Sequence, residues 1–289
     1  MPTEVSAQRR STYLYYDAQK GNVLKISRQL NISATRAACF IDMSKQAATI
    51  EAEKAEIERQ SELFMGGLKR SGTGLPVLVT EPHFYSLPFY QALVRKHDEK
   101  IGVISLDAHL DGICAFYENW SFWGAGIRRE IVNPKKLLIV GSSQVGRAEA
   151  FAKDYDCARA VGRFRPRYFE QYRDLLDDAA QKVFETIGGR EELAKIRNDK
   201  RLRDFAEYAA LRNAGVGFSD FSVDSELLKG PIFVSFDTDV TFSADKLFEI
   251  ANKMRSTRIV GIHVSELSRG IDLHGKETIE RTLNILTHS

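Results

Sequence analysis

Apolar residues along the chain group into short runs separated by longer segments with helical spacing. That alternation is expected of a parallel sheet covered by helices on both faces. AACFIDM (Ala37 to Met43) reads as a first strand. The next stretch, about Lys45 to Phe64, is rich in Ala, Glu and Lys with apolar residues at helical intervals, and predicts a helix. The turn RSGTGLP leads into strand PVLVTE (Pro76 to Glu81), then a helix from about Phe89 to Lys96. Strands IGVISLD (Ile101 to Asp107), KKLLIVG (Lys135 to Gly141), GPIFVSFD (Gly230 to Asp237) and TRIVGIHVSE (Thr257 to Glu266) follow, with a closing helix around Lys276 to Thr287. Residues from about Arg147 to Arg212 form a charged, mostly helical excursion whose basic and acidic residues nearly balance, the mark of a solvated face. No internal repeat or low-complexity linker divides the chain, so residues 1–289 read as one α/β domain carrying that excursion.

Composition narrows the function classes. A chain of 289 residues can bury a sizeable core without disulfides. With 41 basic and 39 acidic side chains, the formal charge of +2 supplies no field of one sign for nucleic acid. The basic-aromatic patch Phe164 to Phe169 is too short to alter that and reads as surface. No apolar run approaches the roughly 20 residues a membrane helix needs, and MPTEVSAQRRS lacks the apolar stretch of a secretory signal. Cys39, Cys114 and Cys157 are widely separated with no CxxC pair, which argues against a disulfide framework or a thiolate metal site. The expectation is a cytoplasmic protein with neither nucleic-acid nor membrane partners.

Three of the strands end in chemistry. ISLD runs into Asp107-Ala108-His109-Leu110-Asp111, FVSFD into Asp237-Thr238-Asp239, and VLVTE into Glu81-Pro82-His83. A parallel sheet opens its ligand crevice at the carboxyl ends of its strands, so these residues fall on one rim. Period-two alternation would put Asp107, His109 and Asp111 on one side, and Asp237 with Asp239 likewise. A DxHxD or DxD alone is often only turn chemistry or helix capping. Four carboxylates and two imidazoles on one rim are another matter: left bare they would repel and desolvate one another, and divalent cations relieve that directly. Oxygen-rich coordination with two imidazoles suits Mn²⁺, and also Zn²⁺ or Fe²⁺.

In this combination the sequence resembles the ureohydrolase superfamily, which includes arginase, agmatinase and formimidoylglutamase, as a divergent member. The carrying residues are Leu106 to Asp111 (LDAHLD), Ser235 to Val240 (SFDTDV), His83 at its strand end and Glu266 in HVSE. The resemblance implies a three-layer α/β/α fold around a mainly parallel sheet, arginase-like. It implies one Mn²⁺ on His83, Asp107, Asp111 and Asp237, and a second on Asp107, His109, Asp237 and Asp239, with Asp107 and Asp237 bridging. Glu266 matches the acidic residue that holds the substrate's guanidinium or amidinium. The family's assembly implies a homo-oligomer, trimer or hexamer.

Departures from the family pattern are equally plain. The glycine-rich approach to the first His reads Thr80-Glu81-Pro82-His83 here. The family's His-Gly pair aligns with Trp123-Gly124, so the proton-shuttle imidazole is replaced by an indole that either packs or walls the substrate pocket. The family's long loop after the second motif is absent, and the chain passes straight to a helix capped by Ser243. Other motifs fail on inspection. Gly141 to Arg147 (GSSQVGR) lacks the Lys-Ser/Thr of a phosphate loop, and the glycines at Gly124 and Gly126 lack the third glycine of a dinucleotide fingerprint. His97, His274 and His288 read as isolated and exposed, His263 as an interior histidine.

The expected activity is hydrolysis of a C–N bond in a guanidino, amidino or formimino compound, with a metal-bridging hydroxide as nucleophile. Asp239 would handle the proton, Glu266 orient the substrate cation, and Trp123 line the pocket. Two rivals stand beside it. One is a deacetylase-like amidohydrolase with a single Zn²⁺ on Asp107, His109 and Asp237. The other is a metal-binding scaffold without catalysis.

Overall fold

The computed structural model describes residues 11–15, 34–36, 50–70, 74–80, 83–112, 123–150, parts of 204–219, and 229–287. Eight strands form one sheet: β1 (Ser11–Tyr15), β2 (Ala34–Arg36), β3 (Leu75–Val79), β4 (Gly102–Leu106), β5 (Leu137–Val140), β6 (Gly217–Ser219), β7 (Pro231–Asp237) and β8 (Arg258–Ser265). Their order is β2-β1-β3-β8-β7-β4-β5-β6, with every pairing parallel. The five strands expected from Pro76 onward are all present, their ends shifted by a residue or two. The strand expected at Ala37 to Met43 lies outside the described residues, and β1, β2 and β6 were not foreseen.

The helices are α1 (Ile50–Arg70), α2 (Ser86–His97), α3 (Trp123–Arg128), α4 (Ala244–Met254), α5 (Leu267–His274) and α6 (Lys276–Thr287). The first runs past the expected Phe64 because the apolar stripe continues: Ile57, Phe64 and Leu68 are all buried. Ser243 caps α4 as expected, its Oγ accepting the Lys246 N–H at 3.3 Å. The chain is also helical at 143–150, while residues 151–203 of the expected excursion lie outside the described residues. Among the described residues no helix is long and apolar enough to cross a membrane.

Strands β3, β4 and β5 are buried along their whole length, which explains their uninterrupted apolar runs. Alternation along these strands, and along β7 and β8, divides their side chains between two cores. Leu78, Val103, Ile139 and Phe233 pack under α1 and α2 with Phe64, Leu87, Phe89 and Leu93. Val77, Val79, Ile104, Val140, Val234, Phe236 and Ile262 face α4 and α6, meeting Leu247, Ile250, Met254, Leu283 and Leu286. Helix, sheet and helix thus form the three expected layers.

Register then builds the rim. Ser105 pairs with Ser235 and Leu106 with Phe236, so Asp107 and Asp237 leave neighbouring strands side by side. Asp237 pairs in turn with Ser265, which sets Glu266 one residue further along the same edge. Val79 pairs with Val264, and the Thr80 N–H donates to the Val264 carbonyl at 2.9 Å, so β3 delivers its chain toward His83 at that edge as well.

Candidate metal centre

The chain does not stay extended beyond the strand ends. The His109 N–H donates to Asp107 Oδ1 at 2.6 Å, and the Asp239 N–H donates to Asp237 Oδ1 at 3.2 Å. Each motif therefore closes on itself as a small aspartate turn, which folds the third residue back over the first. This corrects the expected alternation: residues Asp107, His109 and Asp111 come together by turning. Asp111 carries a positive φ of 49°, a conformation that Asp adopts more readily than most side chains.

All six expected metal ligands converge. His83 Nδ1 lies 2.6 Å from Asp111 Oδ2, 3.2 Å from Asp107 Oδ2 and 3.3 Å from Asp237 Oδ2. His109 Nδ1 lies 3.3 Å from Asp239 Oδ2 and 3.6 Å from Asp107 Oδ1. Two overlapping ligand groups result, His83-Asp107-Asp237 and Asp107-His109-Asp239, and a third joins Asp237 and Asp239 to Glu266. All are buried except His109 and Glu266, which face outward in part. The other ring nitrogen of His83 bonds to Ser235 Oγ at 3.1 Å, which fixes the imidazole's orientation from behind.

The electrostatics are those of a site built for cations. Burial, reinforced by the charges of Asp111 and Asp237, raises Asp107 well above the usual carboxylate range. Burial likewise raises Asp237 to about 7, although the charge of His83 opposes it. Burial would lower His83, but the surrounding carboxylates outweigh it and raise the ring to about 10. Asp107 Oδ2 and Asp239 Oδ1 are buried and receive no hydrogen bond among the described residues. Oxygen atoms left without a donor, in a set of four carboxylates and two imidazoles, fit divalent ions of the Mn²⁺, Zn²⁺ or Fe²⁺ type.

A buried polar network braces the first motif. Gln144 Oε1 accepts the Leu110 N–H at 2.5 Å, and Glu207 Oε1 accepts the Gly112 N–H at 2.6 Å. Gln144 Nε2 donates to Asp204 Oδ1 at 2.9 Å, and Arg147 Nε pairs with Asp204 Oδ2 at 2.6 Å. The GSSQVGR stretch also supports the turn: the Ser143 N–H and both its hydroxyl and that of Ser142 donate to the Ala108 carbonyl. Gln144→Leu, which leaves the buried Leu110 N–H unpaired, should therefore loosen the turn that carries Asp107, His109 and Asp111, and weaken binding of any divalent ion offered to the cluster by about tenfold. Metal titration of the folded variant checks this, and unchanged affinity would refute the bracing role.

Of the two expected roles of Trp123, packing or walling the substrate pocket, the structure shows the packing. Its indole is 1% exposed, stands edge-on to His83 at 6.4 Å, and packs against Tyr90 and Phe233. Its N–H donates to Ser105 Oγ at 3.1 Å. It walls the inner side of the His83 and carboxylate cluster. Gly124 keeps its place for a steric reason: a Cβ there would lie 1.6 Å from the Gly112 carbonyl oxygen. His263 is interior, as expected, bonded to Thr80 Oγ1 at 2.8 Å and held well below the usual range by burial and by the His83 charge. His274 is partly buried, not exposed as expected, and its Nε2 meets the Val240 carbonyl at 2.7 Å. His97 is also partly buried, and His288 lies outside the described residues. A cleft of about 870 Å³ lined by Tyr90, Arg95, Ile101, Ile131 and Lys136 opens at the amino ends of β4 and β5, the end of the sheet opposite Asp107 and Asp237.

Glu266 reaches the rim as expected, and it does so in a left-handed conformation with φ 52°. The Thr238 hydroxyl meets the backbone carbonyls of Ser265 and Glu266 at 2.9 and 2.7 Å. One turn later stands a residue not foreseen. Arg269 Nη1 lies 3.1 Å from Glu266 Oε2 and 3.0 Å from Asp239 Oδ2. The hydrogen bond to Glu266 and the charge of Asp239 raise its guanidinium above the usual range.

A sequence profile described as the Arginase family matches residues 9–192. The chain belongs to the Arginase family. The matched residues include His83, Asp107, His109 and Asp111. Asp237, Asp239 and Glu266 lie beyond them, and the sheet register brings these to the same rim. No curated protein matches by sequence. Among solved structures the fold is similar to proclavaminate amidino hydrolase from Streptomyces clavuligerus, at 14% identity and a TM-score of 0.51 over 97% of this chain and 91% of that one. It is similar to arginase from Bacillus subtilis at 10% identity and a TM-score of 0.53, covering 97% and 99%. A formiminoglutamase variant from Trypanosoma cruzi, solved with Mn²⁺, is similar at 14% identity and a TM-score of 0.50, covering 99% and 94%. These likenesses are of fold.

Proposed function

We propose that this Arginase-family chain is a binuclear-metal hydrolase that cleaves a C–N bond in a guanidino, amidino or formimino compound. The observation that carries the reading is the overlap of two ligand groups on Asp107, next to a third that contains Asp237, Asp239 and Glu266. His83, Asp107, Asp111 and Asp237 would hold one Mn²⁺, and Asp107, His109, Asp237 and Asp239 the other. When bound, the ions supply a water acidified enough to act as nucleophile near neutral pH. A single-zinc arrangement on Asp107, His109 and Asp237 would give no role to His83 and Asp111, whose 2.6 Å contact lies in the same cluster.

The chain's own groups do the rest. Glu266 accepts hydrogen bonds from the planar cation of the substrate and sets its carbon against the rim, a positioning role. Asp239, buried and with Oδ1 free of hydrogen bonds among the described residues, takes the proton of the attacking water and returns it to the departing amine. Trp123 excludes water from the inner side and takes no part in proton transfer, since its N–H is committed to Ser105.

Elemental analysis of Mn²⁺-loaded protein, followed by urea and ammonia release from a panel of guanidino, amidino and formimino compounds, tests the proposal. Two ions per chain and turnover of one such class are expected, and two ions with no turnover of any class would defeat the hydrolase reading. Glu266→Gln should keep both ions and lower kcat/KM by at least about tenfold, equivalent to about 1.4 kcal/mol. A fully active Glu266→Gln would remove it as the clamp.

A further inference from the structure

Arg269 is placed against the carboxylates Asp239 and Glu266 by local packing. Gly270 allows it: a Cβ at Gly270 would fall 2.2 Å from Thr238 Cβ, so only glycine lets the first turn of α5 lie on the Asp237-Thr238-Asp239 turn. The Gly270 N–H donates to the Glu266 carbonyl at 2.9 Å, and Thr238 Oγ1 contacts that same carbonyl at 2.7 Å. Backbone, glycine and hydroxyl thus seat the helix start where residue 269 overlooks two carboxylates. The side chain there is a guanidinium, and one of its nitrogens meets both Glu266 and Asp239, at 3.1 and 3.0 Å.

We infer that Arg269 is the specificity-determining residue of this site: its guanidinium occupies the place between Glu266 and Asp239 that a substrate's planar cation would take, so such a cation binds only by displacing it. The inference rests on the reading of Glu266 as the cation clamp. An Arg side chain and a guanidino substrate present the same planar fork of N–H donors, so they compete for the same carboxylate oxygens. The side chain can leave, since 62% of it is exposed and its outer edge faces solvent. It is tethered one helical turn from Glu266, so its local concentration against a dissolved competitor is high.

Guanidinium chloride is the probe, titrated by calorimetry into Mn²⁺-loaded wild type, Arg269→Gln and Arg269→Lys after each is shown to be folded with equal metal content. Arg269→Gln is expected to bind guanidinium at least tenfold more tightly than wild type, and Arg269→Lys to fall between them. Tetramethylammonium, a cation without N–H donors, should gain less than about twofold, which separates occupancy from net charge. Equal gains for the two cations, or no gain for guanidinium, would overturn the inference. On the wild type itself, the Arg269 side-chain N–H resonance should shift on titration with guanidinium, and a resonance that stays put would overturn it without any variant. If Arg269→Gln gains affinity but no guanidino compound yields urea, the hydrolytic reading fails and the competitor role stands. If urea is released and Arg269→Gln gains nothing, the competitor role fails alone.

Discussion

On the binuclear reading proposed above, Asp107→Asn is expected to abolish binding of both metal ions while leaving the fold intact. Asp107 belongs to both the His83 and the His109 ligand groups, so removing its charge and one of its two oxygens weakens both positions at once. Asparagine keeps the carbonyl oxygen that accepts the His109 N–H at 2.6 Å, so the turn survives. It also relieves strain in the metal-free state, where burial and the neighbouring carboxylates already hold Asp107 well above the usual range. The variant without metal should thus melt at or above the wild-type temperature. The response to metal should differ sharply. At 100 times the dissociation constant, Mn²⁺ stabilises a protein that binds it by about 2.7 kcal/mol per site, and Asp107→Asn should show none of that gain. His109→Ala is the contrast: this half-exposed imidazole joins one group only, so one ion should remain. Elemental analysis decides the matter, and an Asp107→Asn protein that still carries two ions would exclude a bridging role.

Much of this site is legible in the sequence because its residues cluster at the ends of apolar strands, where period and punctuation are both clear. DAHLD and SFDTDV are each local, and the parallel fold sends both to one edge. What the strings do not carry is register. That Ser105 pairs with Ser235, so that Asp107 and Asp237 become neighbours, follows from tertiary packing of β4 on β7. Glu207 and Gln144 were missed for a related reason: each acts by accepting a backbone N–H of the ligand loop, from Gly112 and Leu110, and such contacts leave no periodic trace. Trp123 shows the reverse limit. Its alignment with a family histidine left packing and pocket-lining both open, and the inward turn of the indole, with Ser105 behind it and Phe233 beside it, is a tertiary contact the sequence does not spell out. Arg269 was findable, since it stands three residues after Glu266 at the start of a helix, a spacing at which opposite charges meet. The strand β1 escaped notice because STYLY is short and follows no turn signal, so only its pairing with β3 and β2 defines it.

Metal loading should depend steeply on pH, tightening as pH rises. In the metal-free protein, burial raises Asp237 to about 7 and lifts Asp107 well above its ordinary value. His83 is raised to about 10, because its carboxylate neighbours outweigh the opposing effect of burial. Near neutral pH His83, and Asp237 in part, therefore carry protons that metal must expel, since coordination needs bare carboxylate and neutral imidazole. Each proton released changes affinity about tenfold per pH unit, so Mn²⁺ binding should weaken by at least that factor for each unit below pH 7. Above about pH 8 Asp237 has already ionised and the slope should lessen toward the share of His83. Stability without metal runs the opposite way. Folded-state values above the unfolded ones favour the protonated native form at low pH, and that stabilisation is lost as pH climbs from about 4 through 7 for Asp237 and from about 6.5 toward 10 for His83. The metal-free protein should consequently melt lower at pH 7.5 than at pH 5.5, and Mn²⁺ should reverse that order by replacing the protons. Calorimetric titrations in buffers of different ionisation enthalpy count the protons directly. Release of fewer than one proton per chain at pH 7, with affinity flat between pH 6 and 8, would mean that the cluster is already ionised and that the imidazole and carboxylates do not share protons as their geometry requires.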